Sequence, residues 1–202
     1  MGKLKGIIDI ENLRTLMIFG YHDARIDNLF KDTFESIKGL RVLFIAMNTQ
    51  GSLPKNFSNL IHLEYLKISS AHGAHMTLPS TLSRFYHLKF LDLKDWNGFE
   101  NVPKDFSRLV NLSHINSSKE LHSSIPEVGK MKCLQELKEF HVKKENIGFE
   151  LRELGQLSQL DGELSLCNLE TVTSKDEASG ANLKSKGKMK ELRLVWPFRT
   201  SR

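Results

Sequence analysis

The sequence predicts an α/β solenoid in which short parallel strands stack on one another, and two observations support this prediction. An apolar-x-x-apolar-x-apolar pattern recurs along the 202 residues. Its middle apolar residues are Leu16, Leu43, Leu66, Leu91, Ile115, Phe140, Leu164 and Leu192. A return pattern, in which an apolar residue and Pro precede further apolar residues, occurs at Leu53-Pro54, Leu78-Pro79, Val102-Pro103 and Ile125-Pro126. A regular repeat of this kind indicates units that bury a shared core by stacking.

The steps between the middle apolar residues are 27, 23, 25, 24, 25, 24 and 28 residues, a spacing typical of leucine-rich repeats. The sequence therefore predicts a leucine-rich-repeat horseshoe of about eight coils, where a coil is one strand with its return segment. Strands are expected on the concave face, and irregular turns and short helices on the convex face. Since alternate strand residues face opposite ways, the middle and last apolar residues of each pattern should enter the core.

Three local features modify this regular pattern. The long first step contains apolar residues at helical spacing, which predicts one helix over residues 27–38 that ends at Gly39. In the fifth coil Ser117 stands where an apolar residue is expected, which should weaken the core there. The whole chain, 1–202, is predicted to be a single domain with a frayed tail at 197–202. Because neither end carries a polar capping coil, we expect it to be a fragment of a longer protein.

Composition and charge exclude several classes of protein. No apolar run approaches the roughly 20 residues of a membrane span, and the first residues lack a secretory signal. Two cysteines, Cys133 and Cys167, are too few for a disulfide framework, which favours a reduced, cytoplasmic setting. The net charge of +5 is mild, and the basic stretch at 184–190 has no aromatic residues for base stacking. We therefore expect a solvated turn there and no nucleic-acid partner.

The residues that could carry chemistry do not combine into a catalytic, cofactor or metal site. His72 and His75 lie in a loop without a neighbouring Cys or carboxylate, so they are expected to have no ligand role. Cys133 adjoins the apolar Leu134 and is expected to be a small buried residue. Cys167 is expected on the solvent side, with no activating base beside it. The sequence has no G-x-x-x-x-G-K-[ST] loop and no nucleophile elbow, so we expect a non-enzymatic protein without a cofactor.

The concave strand face is the remaining candidate site. Its outward residues include an aromatic strip of Phe44, Tyr65 and Phe90. Soluble proteins seldom leave such apolar patches without a partner. The predicted protein-binding residues are Phe44, Tyr65, Lys67, Phe90, Asp92, His114 and His141. The alternatives are a plain solvent face, or packing of these aromatic residues on a neighbouring domain.

Several phrases of the sequence resemble one known family. They are LRVL at residues 40–43, SIPEVGKM at 124–131, ELRELGQL at 150–157, ANLKSK at 181–186 and ELRLVW at 191–196. In these phrases the chain resembles the leucine-rich-repeat region of plant intracellular nucleotide-binding leucine-rich-repeat disease-resistance proteins, of the coiled-coil type common in cereals.

The resemblance implies a protein-recognition and autoinhibitory module with two partners. One is a protein ligand, either a pathogen effector or a guarded host protein, and the other is the nucleotide-binding domain of the parent receptor. An alternative from another class is the substrate-recruiting repeat region of a ubiquitin ligase. A second alternative, an extracellular plant receptor ectodomain, usually carries Asn after the last apolar residue of most coils, and here only Asn48 occupies that position.

Overall fold

The structure is a computed structural model that describes residue 10 and residues 12–19, 34, 37–47, 57, 59–70 and 75–197. Within these residues the chain forms ten strands, and every strand pairing is parallel. The strands are β1 (Thr15–Ile18), β2 (Val42–Met47), β3 (Tyr65–Ser70), β4 (His75–Thr77), β5 (Phe90–Asp92), β6 (Gly98–Glu100), β7 (His114–Asn116), β8 (Glu139–His141), β9 (Asp161–Cys167) and β10 (Lys188–Val195). The parallel, mixed α/β arrangement predicted from the repeat is confirmed.

Two sheets contain the strands of the repeat. β1, β2, β3, β5 and β7 lie side by side in that order, and β8, β9 and β10 form a separate three-stranded sheet. The short strands β4 and β6 pair with each other on the return side. The helix predicted over 27–38, the return pattern at 53–54 and the last residues, 198–202, fall wholly or mainly outside the described residues. Phe34 and Ile37, which are described, are buried.

The five-stranded sheet has the register that the repeat predicts. Leu16 is level with Leu43, which is level with Leu66, and Leu91 and Ile115 continue the row. The last four of these side chains are fully buried, and burial of an aliphatic side chain this size contributes roughly 1.5–3 kcal/mol. Residues on either side of the row therefore point to the other side of the sheet, as strand alternation requires.

Short helical turns close the core on the return side. Within the described ranges these turns include the α-helices α1 (Lys119–Ser123), α2 (Arg152–Gly155) and α3 (Lys175–Gly180), and the 3-10 helices at Ser80–Arg84, Phe106–Arg108, Val128–Lys130, Leu169–Thr171 and Leu183–Ser185. Phenylalanine rings of successive coils pack against each other here: Phe34 and Phe57 meet edge to face with centroids 5.0 Å apart, and Phe57 and Phe85 are tilted with centroids 6.5 Å apart. Within the described part of the chain, no helix combines the length and apolar character that crossing a membrane requires.

The three-stranded sheet departs from the predicted register. Phe140 of β8 pairs with Leu166 of β9, two residues beyond the predicted Leu164. The cause lies at the start of the coil, where the Gln135 main-chain nitrogen donates to the Ser113 carbonyl (2.9 Å) and the Gln135 carbonyl accepts from Asp161 (2.8 Å). These bonds make Gln135 level with Asp161. Phe140 and Leu166 both lie five residues further on, so they meet across the sheet.

Two residues lie in environments opposite to those predicted. Cys133 is exposed rather than buried, because the turn closed by the bond from the Leu134 nitrogen to the Met131 carbonyl directs residues 132 and 133 to solvent. Lys186 is 4% exposed, although the stretch around it was expected to be a solvated turn. Its ammonium donates to two main-chain carbonyls of the preceding coil, those of Leu154 (2.6 Å) and Leu157 (2.9 Å), and burial lowers the pKa of Lys186.

Ser117 does occupy the core position that the repeat assigns to it. It is 5% exposed, and its hydroxyl donates to the Ser118 carbonyl at 3.2 Å. The hydroxyl is therefore satisfied by the backbone of the next residue, as a buried polar group requires.

Candidate protein-binding face

The solvent side of the five-stranded sheet, which we call the strand face, carries two parallel rows of side chains. The first row contains Thr15, Val42, Tyr65, Phe90 and His114. The second row contains Met17, Phe44, Lys67, Asp92 and Asn116. Both rows have the membership that the repeat predicts, because strand alternation places the residues immediately before and after each buried middle residue on this side.

Three rings of the first row form what we call the aromatic stack, Tyr65, Phe90 and His114. The centroids of Tyr65 and Phe90 are 5.9 Å apart with an interplanar angle of 24°, and those of Phe90 and His114 are 4.2 Å apart at 7°. His114 Nδ1 is in turn 2.9 Å from the Ser113 hydroxyl. Phe90 is 40% exposed, so the stack offers an apolar surface to solvent while each ring supports the next.

Phe44 belongs to the second row and not to the aromatic stack. Its ring packs against Phe19, with centroids 4.9 Å apart, and the ammonium of Lys67 lies 5.5 Å from its centroid. The single strip predicted from the sequence is thus divided between two rows. Met17 and Phe19, which were not among the predicted binding residues, extend the apolar surface because they are 57% and 69% exposed.

Asp92 is buried within the strand face, where its neighbours satisfy its carboxylate. It is 8% exposed, so it offers little free carboxylate to a partner. Its oxygens accept from the Lys67 ammonium (3.3 Å), the Asn116 side-chain amide (3.1 Å) and the Lys94 main-chain nitrogen (3.3 Å). The buried carboxylate of Asp92 thus contacts Lys67, whose ammonium lies beside the Phe44 ring.

A charged rim borders the aromatic stack where the strands begin. The Glu64 carboxylate lies between Arg41 (2.6 Å) and Lys89 (2.7 Å). The hydrogen bond and charge of Lys89, together with the charge of Arg41, lower the pKa of Glu64. Because the two cations are mostly exposed and Glu64 is partly exposed, this network contributes little stability. Its main effect is to place charge along one edge of an apolar patch.

His141, the remaining predicted binding residue, lies on the other sheet. Its Nε2 is 2.9 Å from a Glu139 carboxylate oxygen, and His141 pairs with Cys167 of the neighbouring strand β9. Burial, with a smaller contribution from the Glu139 charge, raises the pKa of the Cys167 thiol. The sequence predicted no activating base beside Cys167. His141 is level with Cys167 because the register differs from the predicted one, which placed Ser165 opposite His141, but the raised pKa of the thiol shows no activation. Of the two histidines predicted to lie in a loop, His75 is the exposed first residue of β4, and His72 lies outside the described residues.

An apolar stack with a charged border suits contact with another protein. Aromatic side chains are enriched in the centre of protein interfaces, and charges in their polar rim. The rings are held by their neighbours, so little side-chain freedom remains to be lost on binding.

Comparisons with known proteins show which family the chain is similar to. The leucine-rich repeat region family matches residues 12–201. The "Probable disease resistance protein RXW24L" of Arabidopsis thaliana is 30% identical over 117 residues, which are 56% of this chain and 13% of the relative. The "Probable disease resistance RPP8-like protein 4" of the same plant is 30% identical over 146 residues, 70% of this chain and 16% of the relative. The chain thus spans less than a fifth of either relative.

Solved structures show the same fold at low sequence identity. The ectodomain of the Arabidopsis thaliana membrane receptor kinase GASSHO1/SCHENGEN3, determined in complex with CASPARIAN STRIP INTEGRITY FACTOR 2, has a TM-score of 0.55 and 16% identity, over 81% of this chain and 19% of that one. A TDR receptor has a TM-score of 0.51 and 19% identity, over 95% of this chain and 36% of that one.

Proposed function

Since this chain belongs to the leucine-rich repeat region family, we propose that it is the protein-recognition and autoinhibitory module of a plant immune receptor. It acts in the cytoplasm, in the defence response to pathogen effectors, and has no enzymatic activity of its own. The similarity to disease resistance proteins several times longer supports this assignment. In the parent receptor, about eight coils curve into a horseshoe with the strand face on its concave side.

The aromatic stack is the observation that carries the proposal. Tyr65, Phe90 and His114 form a preformed apolar platform beside Phe44 and Lys67. Truncation of an aromatic anchor in such a setting typically costs about 2 kcal/mol or more of binding free energy. These five of the seven predicted binding residues therefore form the proposed contact surface, which binds an effector or a guarded host protein.

Autoinhibition follows if the same module also contacts the nucleotide-binding domain of the receptor. A ligand shifts a two-state equilibrium only when it binds one state better than the other. If the ligand and the nucleotide-binding domain compete for the strand face, ligand binding releases the domain. The strand face would then serve both recognition and resting-state control.

The test is the double variant Tyr65→Ala with Phe90→Ala in a receptor that carries this segment. The matched control is Tyr86→Ala, an aromatic residue that is 52% exposed in a turn away from the strand face. We expect the double variant to lose the response to the pathogen, or to trigger cell death without it, when expressed in leaf tissue. The control should behave as wild type.

Folding must be measured alongside function. Each lost ring pair should cost about 0.5–1.5 kcal/mol, and 1 kcal/mol lowers the melting temperature of a domain this size by about 2–4 °C. The purified double variant should therefore keep the wild-type circular dichroism spectrum and melt no more than about 10 °C earlier. A double variant with normal pathogen response and normal resting state would contradict the proposal.

A further inference from the structure

The offset register of β8 brings together three side chains capable of binding a metal ion. Glu139 and His141 are two residues apart on β8, so they point to the same side, and Cys167 on β9 is level with His141. All three are partly buried. With the register predicted from the repeat, Ser165 would have stood opposite His141 and no sulfur ligand would have been present.

The separations of their ligand atoms are close to those of a metal centre. The His141 nitrogen, the Cys167 sulfur and one Glu139 oxygen all lie within 4.8 Å of one another, and His141 Nε2 is 2.9 Å from Glu139 Oε1. Zinc bonds of about 2.0–2.3 Å in tetrahedral geometry place ligand atoms roughly 3.3–3.8 Å apart. A separation of 4.8 Å must shorten by about 1 Å to reach the zinc value. Rotation of the side chains can supply this movement, because the backbone already holds the three residues in place.

The kinds of ligand atom select the ion. A thiolate, an imidazole and a carboxylate form a mixed sulfur, nitrogen and oxygen set that suits Zn²⁺, whereas Mg²⁺ and Ca²⁺ prefer oxygen alone. The thiolate and carboxylate together carry two negative charges that offset those of the ion. The positive charge of Lys119 acts on Cys167 and partly offsets the negative charge of its thiolate.

We propose that Glu139, His141 and Cys167 form a mononuclear zinc site with a fourth coordination position open to solvent. The three protein ligands with one open position follow the pattern of zinc sites that exchange a water for an external ligand. The site lies on the three-stranded sheet and is separate from the aromatic stack, so its test is independent of the proposed recognition function.

The first experiment is titration of the full 202-residue chain with Zn²⁺, and with Co²⁺ as a spectroscopic probe. We expect one equivalent to bind, and Co²⁺ to give a thiolate-to-cobalt charge-transfer band in the near ultraviolet. Cys167→Ser should abolish that band, and His141→Ala and Glu139→Gln should each weaken Zn²⁺ affinity at least about tenfold, the lower end of the loss caused even by removing an outer-shell partner. Cys133→Ser, which changes the exposed second cysteine, should leave both signals intact.

The second experiment needs no substitution. The wild-type chain is alkylated with iodoacetamide, with and without Zn²⁺, and the modified cysteines are identified by mass spectrometry. Zn²⁺ should protect Cys167 and leave the alkylation of Cys133 unchanged. Equal alkylation of Cys167 in both conditions, a dissociation constant weaker than about 1 mM, or a cobalt spectrum that persists in Cys167→Ser would overturn the proposal.

Discussion

Replacing His122 by Gln should make the folded protein less sensitive to acid, because the imidazole is buried in its neutral form. His122 lies in α1 and is 1% exposed. Its Nδ1 accepts a hydrogen bond from the Lys138 main-chain nitrogen at 3.4 Å, and its Nε2 has no hydrogen-bond partner within the described part of the chain. Burial, with the nearby Lys138 ammonium adding to it, lowers the pKa of His122 from 6.5 to about 3.

The size of the effect follows from proton linkage. The unfolded chain protonates His122 as the pH falls through 6.5, whereas the folded protein keeps it neutral until the pH approaches about 3. Between these values the unfolded state binds more protons, so stability is lost as the pH falls. One pKa unit corresponds to about 1.4 kcal/mol. His122 alone should therefore lower the free energy of unfolding by about 2 kcal/mol between pH 7 and pH 5, and by about 3 kcal/mol at pH 4.

Urea unfolding between pH 7 and pH 4 measures this loss in the free energy of unfolding. The fluorescence of Trp96, which is 2% exposed and donates to the Ile68 carbonyl at 2.8 Å, should report the transition. Other titrating groups are common to the wild type and His122→Gln, so they cancel in the difference between the two pH profiles. The stability of the variant at pH 7 does not enter the test.

The reasoning is refuted if both proteins lose stability in parallel from pH 7 to pH 4. His87→Gln, which removes an exposed imidazole, is the matched control and should keep the wild-type profile. A control that flattens the profile as much as His122→Gln would also count against a specific effect of the buried ring.

Two further substitutions test the core and the buried lysine. Leu91→Asp places a charge at a fully buried position and should destabilise the protein by more than about 4 kcal/mol. Lys132→Asp, at an exposed position, should change stability by less than about 0.5 kcal/mol. Similar urea midpoints for the two variants would show that the strand register is wrong. Lys186→Ala removes an ammonium bonded to two carbonyls and should cost about 2 kcal/mol, while the exposed Lys184→Ala should be nearly neutral. Equal melting temperatures of these two variants would contradict a structural role for the buried lysine.

Much of the fold and part of the candidate site could be predicted from the sequence, because each coil of a regular repeat adopts the same backbone geometry. Once the middle residues of β3 and β5 are identified as Leu66 and Leu91, strand alternation places Tyr65 beside Phe90 on the solvent side. The same periodicity predicts that apolar return residues such as Phe85 complete the core. These conclusions need only local backbone geometry and a constant coil length.

Where the coil length is not constant, long-range contacts decided the outcome. The hydrogen bonds of Gln135 to the coils on either side set the register at the start of β8, and the pairing with β9 that follows brings His141 beside Cys167. No apolar pattern reports such bonds, since the main-chain donors and acceptors are the same for every residue type except Pro.

Burial of polar groups was likewise decided by tertiary structure. The sequence placed Asp92 on the solvent side, but the side chains of Lys67 and Asn116 fold over its carboxylate. It placed Lys186 in a basic stretch, but two main-chain carbonyls of the preceding coil accept hydrogen bonds from its buried ammonium. The sequence by itself determined the repeat, the core and the two rows of the strand face. Only the packed coils decided which polar groups lie free, because a polar group is satisfied by whichever partner the neighbouring coil brings within reach.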